Sequence, residues 1–208
     1  MKKPLLLLAA MAVVIFVLIL GKNLPATPEN ARAYVQRPIL AFGDSLTFGT
    51  GVESHLSYPA MLQRMSGVKV VNAGVPGETS AQGLKRLETA LRKHRPALLI
   101  LCHGGNDILR GLSRSALKEN LAAMVQIAQR ENVDVLLVGL PDMSTLGFGG
   151  LDLYEEVAKT YGTMFESGVI GKIERDPALK SDRIHPNAEG YRMMAETFYE
   201  LLKTEHLL

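Results

Sequence analysis

Several features that would assign this chain to a common functional class are scarce or missing. It has one cysteine, Cys102, which excludes an intrachain disulfide. The formal net charge is only +2 and there is no dense Lys/Arg stripe, so composition gives no support for nucleic-acid binding. No His, Cys or carboxylate residues show zinc-ligand spacing, and neither a Walker-type loop nor a dinucleotide fingerprint occurs. We therefore expect no metal and no cofactor.

The residues that are present suit one globular domain behind a hydrophobic leader. The 208 residues are 47% hydrophobic and 21% charged, which allows a sizeable core. Lys2 and Lys3 precede an uncharged apolar run at 5–20, the layout of an export signal. No A-x-A-like cleavage site follows, but the run is shorter than the roughly 20 residues of a typical span, so a cleaved signal and a retained anchor both stay open.

This layout predicts three segments and a location. Residues 1–21 are a signal peptide or uncleaved membrane anchor, 22–34 a linker, and 35–208 the folded domain. The lysines would stay cytoplasmic while the domain is exported. We therefore expect a periplasmic or extracytoplasmic protein, in contact with the membrane only through its N-terminal hydrophobic helix.

Apolar runs alternate with helical patterns along the domain. Strands are predicted at 35–42, 68–71, 97–102 and 133–140, with a short edge strand at 169–173. Helices are predicted at 58–65, 78–94, 113–130, 151–167 and 186–202. Strands that are apolar on both faces and alternate with helices favour an α/β fold with a central parallel sheet covered on both sides.

Polar clusters follow the first three predicted strands. Ser45 follows the first, Gly74 the second and Asn106 the third. In open parallel sheets, ligands bind outside the carboxyl ends of the strands. These clusters should therefore meet at one edge of the sheet.

A fourth cluster, far downstream, supplies the remaining chemistry for a serine hydrolase. We interpret Ser45 as the nucleophile and His185 as the general base that takes its proton. Asp182, three residues before the histidine, would fix the imidazole tautomer. Substrate, nucleophile and base alone would then support acyl transfer without a cofactor.

Other residues compete for these roles less well. His103 also follows a strand, but no carboxylate precedes it at a useful spacing. Asp44 adjoins the serine and is expected to brace the turn, while Asp107 is expected to tether loop backbone. Cys102 closes an apolar strand, where a free cysteine usually behaves as a small hydrophobe.

Acyl transfer also needs hydrogen-bond donors for the oxyanion of its tetrahedral intermediate. Three candidates are the backbone N–H of Ser45, the backbone N–H of Gly74 and the side-chain amide of Asn106. Glycine lets its backbone approach a ligand closely, and an asparagine amide donates without adding charge.

The four clusters resemble the sequence blocks of the SGNH (GDSL-type) hydrolase superfamily, in family order. They are Gly43-Asp44-Ser45-Leu46, Asn72-Ala73-Gly74-Val75-Pro76-Gly77, Gly104-Gly105-Asn106-Asp107 and Asp182-Arg183-Ile184-His185-Pro186. The resemblance covers about residues 36–203. It implies a flavodoxin-like three-layer α/β/α sandwich and the same five site residues. Within the superfamily the chain is similar to the arylesterase, acyl-thioesterase and lysophospholipase group.

Substrate choice is the least constrained prediction. The segment 141–151 is a candidate wall for the acyl chain, with apolar surface from Met143, Leu146 and Phe148. We expect small-molecule acyl esters, thioesters or lysophospholipid as substrates. Two alternatives are a carbohydrate O-deacetylase of envelope polysaccharide and a non-catalytic membrane-tethered binding module on the same fold.

Overall fold

The domain is built on one parallel β-sheet. The computed structural model describes residues 37–142 and 151–208. The sheet has five strands in the order β2-β1-β3-β4-β5. Their bounds are β1 Ile39–Gly43, β2 Val70–Gly74, β3 Leu98–Cys102, β4 Asp134–Val138 and β5 Met164–Glu166. Every residue of β1 and β3 is buried, as their uninterrupted apolar runs predict.

Helices cover the sheet on both sides. They are α1 Ser45–Phe48, α2 Tyr58–Ser66, α3 Ser80–His94, α4 Gly105–Leu109, α5 Arg114–Arg130, α6 Asp152–Tyr161, α7 Val169–Arg175 and α8 Ala188–Thr204. The chain steps from β1 to β2 in one direction and from β2 to β3 in the other. Because crossovers are right-handed, α2 and α3 lie on opposite faces. Helix α5 packs with α3 and α6, whereas α8 packs with α2 and α7. The predicted three-layer α/β/α sandwich is therefore confirmed.

Local sequence explains where the helices begin and which face they bury. Ser113 caps α5 by accepting a hydrogen bond from the Ala116 N–H at 3.2 Å. The apolar face of α5 recurs every three or four residues, and Leu117, Leu121, Met124, Val125 and Ala128 are all buried.

The region after β4 differs from the sequence prediction in two ways. The helix expected at 151–167 ends at Tyr161, because Gly162 adopts the left-handed conformation (φ 61°) that terminates it. Strand β5 follows at once. The edge strand expected at 169–173 is instead helix α7, so that prediction was wrong. The Glu166 carboxylate accepts the Gly168 and Val169 N–H groups at 2.8 and 2.9 Å and starts the helix there.

Three sequence predictions lie outside the described residues. They are the hydrophobic leader at 1–21, the linker at 22–34 and the acyl-wall residues Met143, Leu146 and Phe148. Within 37–142 and 151–208, no helix combines the length and apolar character needed to cross a bilayer.

Candidate active site

Three of the polar clusters begin at the same level of the sheet. The parallel register places Gly43, the last residue of β1, opposite both Gly74 of β2 and Cys102 of β3. The loops that follow these strands therefore leave from neighbouring points. Ser45 and Asn106 line one cleft at this edge, and Gly74 packs against the helix that Ser45 begins, as the sequence predicts.

The fourth cluster returns to this edge from the far end of the chain. His185 Nε2 lies 3.1 Å from Ser45 Oγ, across a sequence separation of 140 residues. His185 Nδ1 lies 2.8 Å from Asp182 Oδ2. Serine, imidazole and carboxylate thus form one continuous hydrogen-bonded series.

The charge on Asp182 determines the direction of these hydrogen bonds. Hydrogen bonds from the His185 ring, the His185 N–H and the Ile184 N–H hold the pKa of Asp182 at about 2. An ionised carboxylate only accepts, so Nδ1 of the ring must donate to it. In the neutral imidazole, Nε2 is then unprotonated and accepts from the Ser45 hydroxyl.

Short-range contacts hold the segment that carries the acid and the imidazole. Asp182 Oδ1 accepts the N–H groups of Ile184 and His185 at 2.7 and 2.8 Å. The Tyr191 hydroxyl, on α8, donates to the Thr50 carbonyl at 2.9 Å, which ties the last helix to the loop after Ser45. The local turn fixes the ring, and α8 fixes the turn against the serine.

The two acids that the sequence sets aside have structural roles. Asp44 caps α1 by accepting the Leu46 N–H at 3.1 Å, and burial raises the pKa of its carboxyl. Asp107 accepts the Ser80 N–H at 2.7 Å and the Ser80 hydroxyl at 2.6 Å. Asp44 therefore braces the nucleophile turn and Asp107 tethers the β3 loop to α3, as predicted.

Gly74 lies directly against the helix that begins with the serine. A β-carbon at this position would lie 2.1 Å from the Phe48 backbone nitrogen. The Gly74 N–H donates to Asn72 Oδ1 at 3.0 Å, and Asn72 Nδ2 donates to the Phe48 carbonyl at 3.2 Å. The proposed oxyanion donor therefore has a partner within its own strand. Sequence reasoning placed Asn72 in the second block but gave it no role.

Gly74→Ala should lower the free energy of unfolding by about 1–3 kcal/mol, because backbone rather than a flexible side chain blocks the new methyl group. It should also disturb the position of Ser45 by displacing α1. Urea unfolding with an unchanged m-value measures the first effect. Gly168→Ala is the matched control, since its β-carbon would meet nothing closer than 3.7 Å. Equal stability of both variants would contradict the close-packing argument.

The third candidate donor, the Asn106 side-chain amide, is hydrogen-bonded to the loop that follows β2. Asn106 Nδ2 donates to the Glu78 carbonyl at 3.1 Å. An amide NH2 carries two hydrogens, so this bond orients the group and leaves the other hydrogen for a ligand. Ser45 is the first residue of α1, and its N–H has no acceptor within that helix.

An apolar cleft opens beside the serine. Its lining includes Ser45 and Asn106 together with the apolar side chains Leu46, Leu109, Leu140, Pro141, Ile170 and Ile184. The Leu151 N–H donates to the Leu140 carbonyl at 3.2 Å, so residues 140 and 151 are adjacent next to this cleft.

The rival nucleophile and rival base are both enclosed. Cys102 and His103 are 0% exposed. Burial raises the pKa of the Cys102 thiol well above its ordinary value, which disfavours a thiolate. The His103 ring contacts Glu78, 25 positions earlier, a partner that a search for nearby carboxylates could not find. Across 37–142 and 151–208, no three His, Cys, Asp or Glu side chains are grouped to hold a metal ion.

The fold and the residues gathered at its edge define the class. The chain superposes on AlinE4, an SGNH-hydrolase family esterase, with a TM-score of 0.63 at 33% identity, covering 81% of this chain and 95% of that one. The five-stranded parallel sheet flanked by helices is therefore the fold of the SGNH hydrolases.

The comparisons with known proteins give the family. The model of the GDSL-like lipase/acylhydrolase family matches residues 41–193, and the chain belongs to that family. It is accordingly an enzyme of the acyl hydrolase class.

The similar proteins include characterised hydrolases. Esterase TesA of Pseudomonas aeruginosa is 32% identical over 79% of this chain and 87% of its own length. Thioesterase 1/protease 1/lysophospholipase L1 of Escherichia coli K12 is 29% identical over 79% of this chain and 83% of its own length. The crystal structure of TesA superposes with a TM-score of 0.74 at 31% identity, covering 81% of this chain and 99% of that one.

Proposed function

We propose that this protein is a serine esterase that hydrolyses acyl esters or thioesters through an acyl-enzyme on Ser45. The observation that carries the proposal is the continuous series from Ser45 Oγ to His185 Nε2 at 3.1 Å and from His185 Nδ1 to Asp182 Oδ2 at 2.8 Å. A serine hydroxyl needs a base to become nucleophilic, and an imidazole with one nitrogen held by a carboxylate is such a base.

In the first half of the reaction, Ser45 Oγ attacks the acyl carbonyl carbon and His185 Nε2 takes the hydroxyl proton. Asp182 stays ionised and stabilises the imidazolium that forms. When the tetrahedral intermediate collapses, the bond to the alcohol or thiol breaks. His185 returns its proton to that leaving group, and the acyl group remains on Ser45.

In the second half, water replaces the alcohol. His185 takes a proton from the water, whose oxygen attacks the acyl carbon. Collapse of the second intermediate releases the carboxylic acid and returns the proton to Ser45 Oγ. In each half-reaction the imidazole therefore takes up one proton and gives one back, so the reaction balances without a cofactor.

The oxyanion of both intermediates would be stabilised by the Ser45 N–H, the Asn106 amide and the Gly74 N–H. The first two belong to residues that line the cleft beside the nucleophile. The Gly74 N–H would exchange its bond to Asn72 for one to the oxyanion, or share it. Removing one such donor typically costs about 10²–10³-fold in kcat.

The surroundings of the serine favour acyl groups over sugars. Six of the eleven residues that line the cleft are apolar, and the lining also includes Asp44 and Glu174. Four large apolar side chains that follow β1, β2 or β3 remain exposed near the same edge: Phe48, Val75, Leu109 and Leu112. Aliphatic surface of this kind binds hydrocarbon through burial and gives no hydrogen bonds to glycan hydroxyls. The relatives' names, esterase and thioesterase/lysophospholipase, point the same way.

A substrate panel tests the substrate class. We expect p-nitrophenyl acyl esters, acyl thioesters and lysophospholipid to be turned over with higher kcat/KM than acetylated polysaccharide. The cleft has a volume of only about 20 Å³. We therefore expect kcat/KM to rise with the first methylenes added, by the equivalent of at most about 0.8 kcal/mol each, and then to level off. The Ser45→Ala variant run in parallel subtracts background hydrolysis.

Two results of the panel would overturn the proposal. Faster release of acetate from polysaccharide than from any acyl ester would establish the O-deacetylase alternative. Folded protein that turns over nothing and resists a fluorophosphonate probe would establish the non-catalytic binding module.

A further inference from the structure

A cluster of charged and polar groups, two of them buried and one half-buried, lies behind the loops of the candidate site. Glu78 is 8% exposed and His103 is 0% exposed. Arg86, on α3, donates from Nε and Nη2 to the Glu78 carboxylate at 2.5–2.9 Å. His103 Nε2 lies 3.2 Å from Glu78 Oε2. None of the three side chains takes part in the proton transfers above.

The protonation of this cluster follows from its contacts. The Gly104 N–H donates to His103 Nδ1 at 3.0 Å. Because Nδ1 accepts this hydrogen bond, the ring proton is on Nε2, which donates a hydrogen bond to Glu78. Burial alone would raise the pKa of Glu78, but the hydrogen bonds from His103 and Arg86 outweigh it and hold the pKa at about 2. The glutamate is therefore an anion with both oxygens occupied.

Arg86 extends the cluster to the ends of two strands. Its Nη2 donates to the Ala73 carbonyl at 2.9 Å and to the Gly43 carbonyl at 3.2 Å. Its guanidinium carbon lies 3.9 Å above the ring of Phe42. Gly43 lies two residues before the nucleophile and Ala73 one residue before Gly74. One planar group thus contacts the carboxyl ends of both β1 and β2, next to the loops that leave them.

Glu78 extends the cluster to the third loop. Its carbonyl accepts the Asn106 amide at 3.1 Å, while its carboxylate is held by Arg86 and His103. His103 itself leads into that loop through Gly104. The side chain of Glu78 therefore fixes the residue whose backbone orients the Asn106 amide.

Gly83 leaves room on helix α3 for the imidazole of His103. A β-carbon at Gly83, on α3, would lie 2.3 Å from His103 Nε2. Glycine inside a helix costs roughly 1 kcal/mol relative to alanine. Its presence here lets the ring lie against the helix backbone and reach Glu78.

We infer that Arg86, Glu78 and His103 form a positioning network that sets the Asn106 side-chain amide as an oxyanion donor. The inference rests on the proposed function, because it assigns this donor to the transition state. Arg86 and Glu78 are positioning residues rather than catalytic ones, since neither lines the cleft beside Ser45.

A role in stability alone explains the network less well. Replacing a buried ion pair with apolar residues of similar volume is often neutral or stabilising. The strand-end carbonyls would need donors in a purely structural role too, so the contact that points to the site is the bond from the Asn106 amide to the Glu78 carbonyl. The contacts that leave the pair all lead to the same three loops.

Arg86→Lys tests the inference while keeping the charge that Glu78 needs. Lysine lacks the planar fork and cannot hold Glu78 and both strand carbonyls together. We expect kcat for p-nitrophenyl ester hydrolysis to fall about 10–100-fold, the usual cost of losing an outer hydrogen-bonding partner. KM should stay within about twofold, because substrate binding is not what the network sets. Arg92→Lys, an exposed ion-paired arginine on the same helix, is the matched control and should keep full activity.

A double-mutant cycle with Asn106→Ala separates positioning from general stability. If Arg86 acts through the Asn106 amide, Arg86→Lys should lower kcat far less in the Asn106→Ala background than in the parent. A loss that is the same in both backgrounds, or a lower melting temperature with unchanged kcat, would overturn the inference. If Arg86→Lys does not fold, Glu78→Gln enters the same cycle with the same expectation.

The outcomes also distinguish the inference from the function beneath it. If Ser45→Ala and Asn106→Ala lose activity while Arg86→Lys and Glu78→Gln keep theirs, the network has no positioning role and the esterase mechanism stands. If Ser45→Ala retains activity, the mechanism itself fails.

Discussion

If Ser45 is the nucleophile, as proposed, Ser45→Ala should lower kcat for p-nitrophenyl ester hydrolysis by about 10⁴-fold or more, as loss of the nucleophile does in serine hydrolases. The variant keeps the oxyanion donors and the cleft, so KM should change little. The fold should also be kept, because the hydroxyl contacts the imidazole of His185 and is only partly buried.

Steady-state kinetics and active-site labelling measure this effect together. A fluorophosphonate should attach one equivalent to the parent protein at Ser45, identified by peptide mass spectrometry, and none to the variant. Ser115→Ala removes an exposed hydroxyl and serves as the control. A Ser45→Ala protein with more than about one tenth of parental kcat would show that another group carries the acyl transfer.

Asp182→Asn should lower kcat by about 10⁴-fold with the site geometry retained. The carboxylate obliges His185 Nδ1 to donate, whereas an asparagine can turn its NH2 toward that nitrogen. The ring would then carry its proton on Nε2, facing Ser45, and could not accept the hydroxyl proton. Asp152→Asn, on an exposed first helical turn, is the control.

The same substitution makes a second, pH-dependent prediction. The pKa of Asp182 is about 2 in the folded protein, below the roughly 3.9 of an unfolded aspartate. The carboxylate therefore contributes stability that is fully present above the unfolded value and is lost as pH falls toward 2. The stability difference between parent and Asp182→Asn should shrink over that window. Urea midpoints measured from pH 6 down to pH 2.5 check it, and a constant difference would contradict the assigned pKa.

The parts of the fold set by local pattern were predictable from sequence. Strands β1 and β3 are buried on both faces and show it as unbroken apolar runs. Helix α5 shows its buried face as a repeat of three and four. Because the carboxyl ends of parallel strands lie at one edge of the sheet, Ser45, Gly74 and Asn106 could be assigned to that edge from the sequence alone.

Other parts depend on contacts that no local pattern reveals. Helix α7 has seven residues with four buried, a composition that suits a short strand equally well, and its start is set by Glu166. The ion pair of Glu78 and Arg86 spans eight residues, but its contacts with Gly43 and His103 join distant segments. These require the packed structure, as does the bond from the Gly74 N–H to Asn72.

The 140 positions between Ser45 and His185 also order events in time. On the proposed roles, a growing chain acquires its nucleophile early, yet it lacks the base until almost the whole domain has been synthesised. Helix α8 must then dock, so that Tyr191 reaches Thr50 and holds the turn in place. Ester cleavage during refolding would therefore report the arrival of the final segment, and an incomplete chain would be harmless to cellular esters however well its first half had folded.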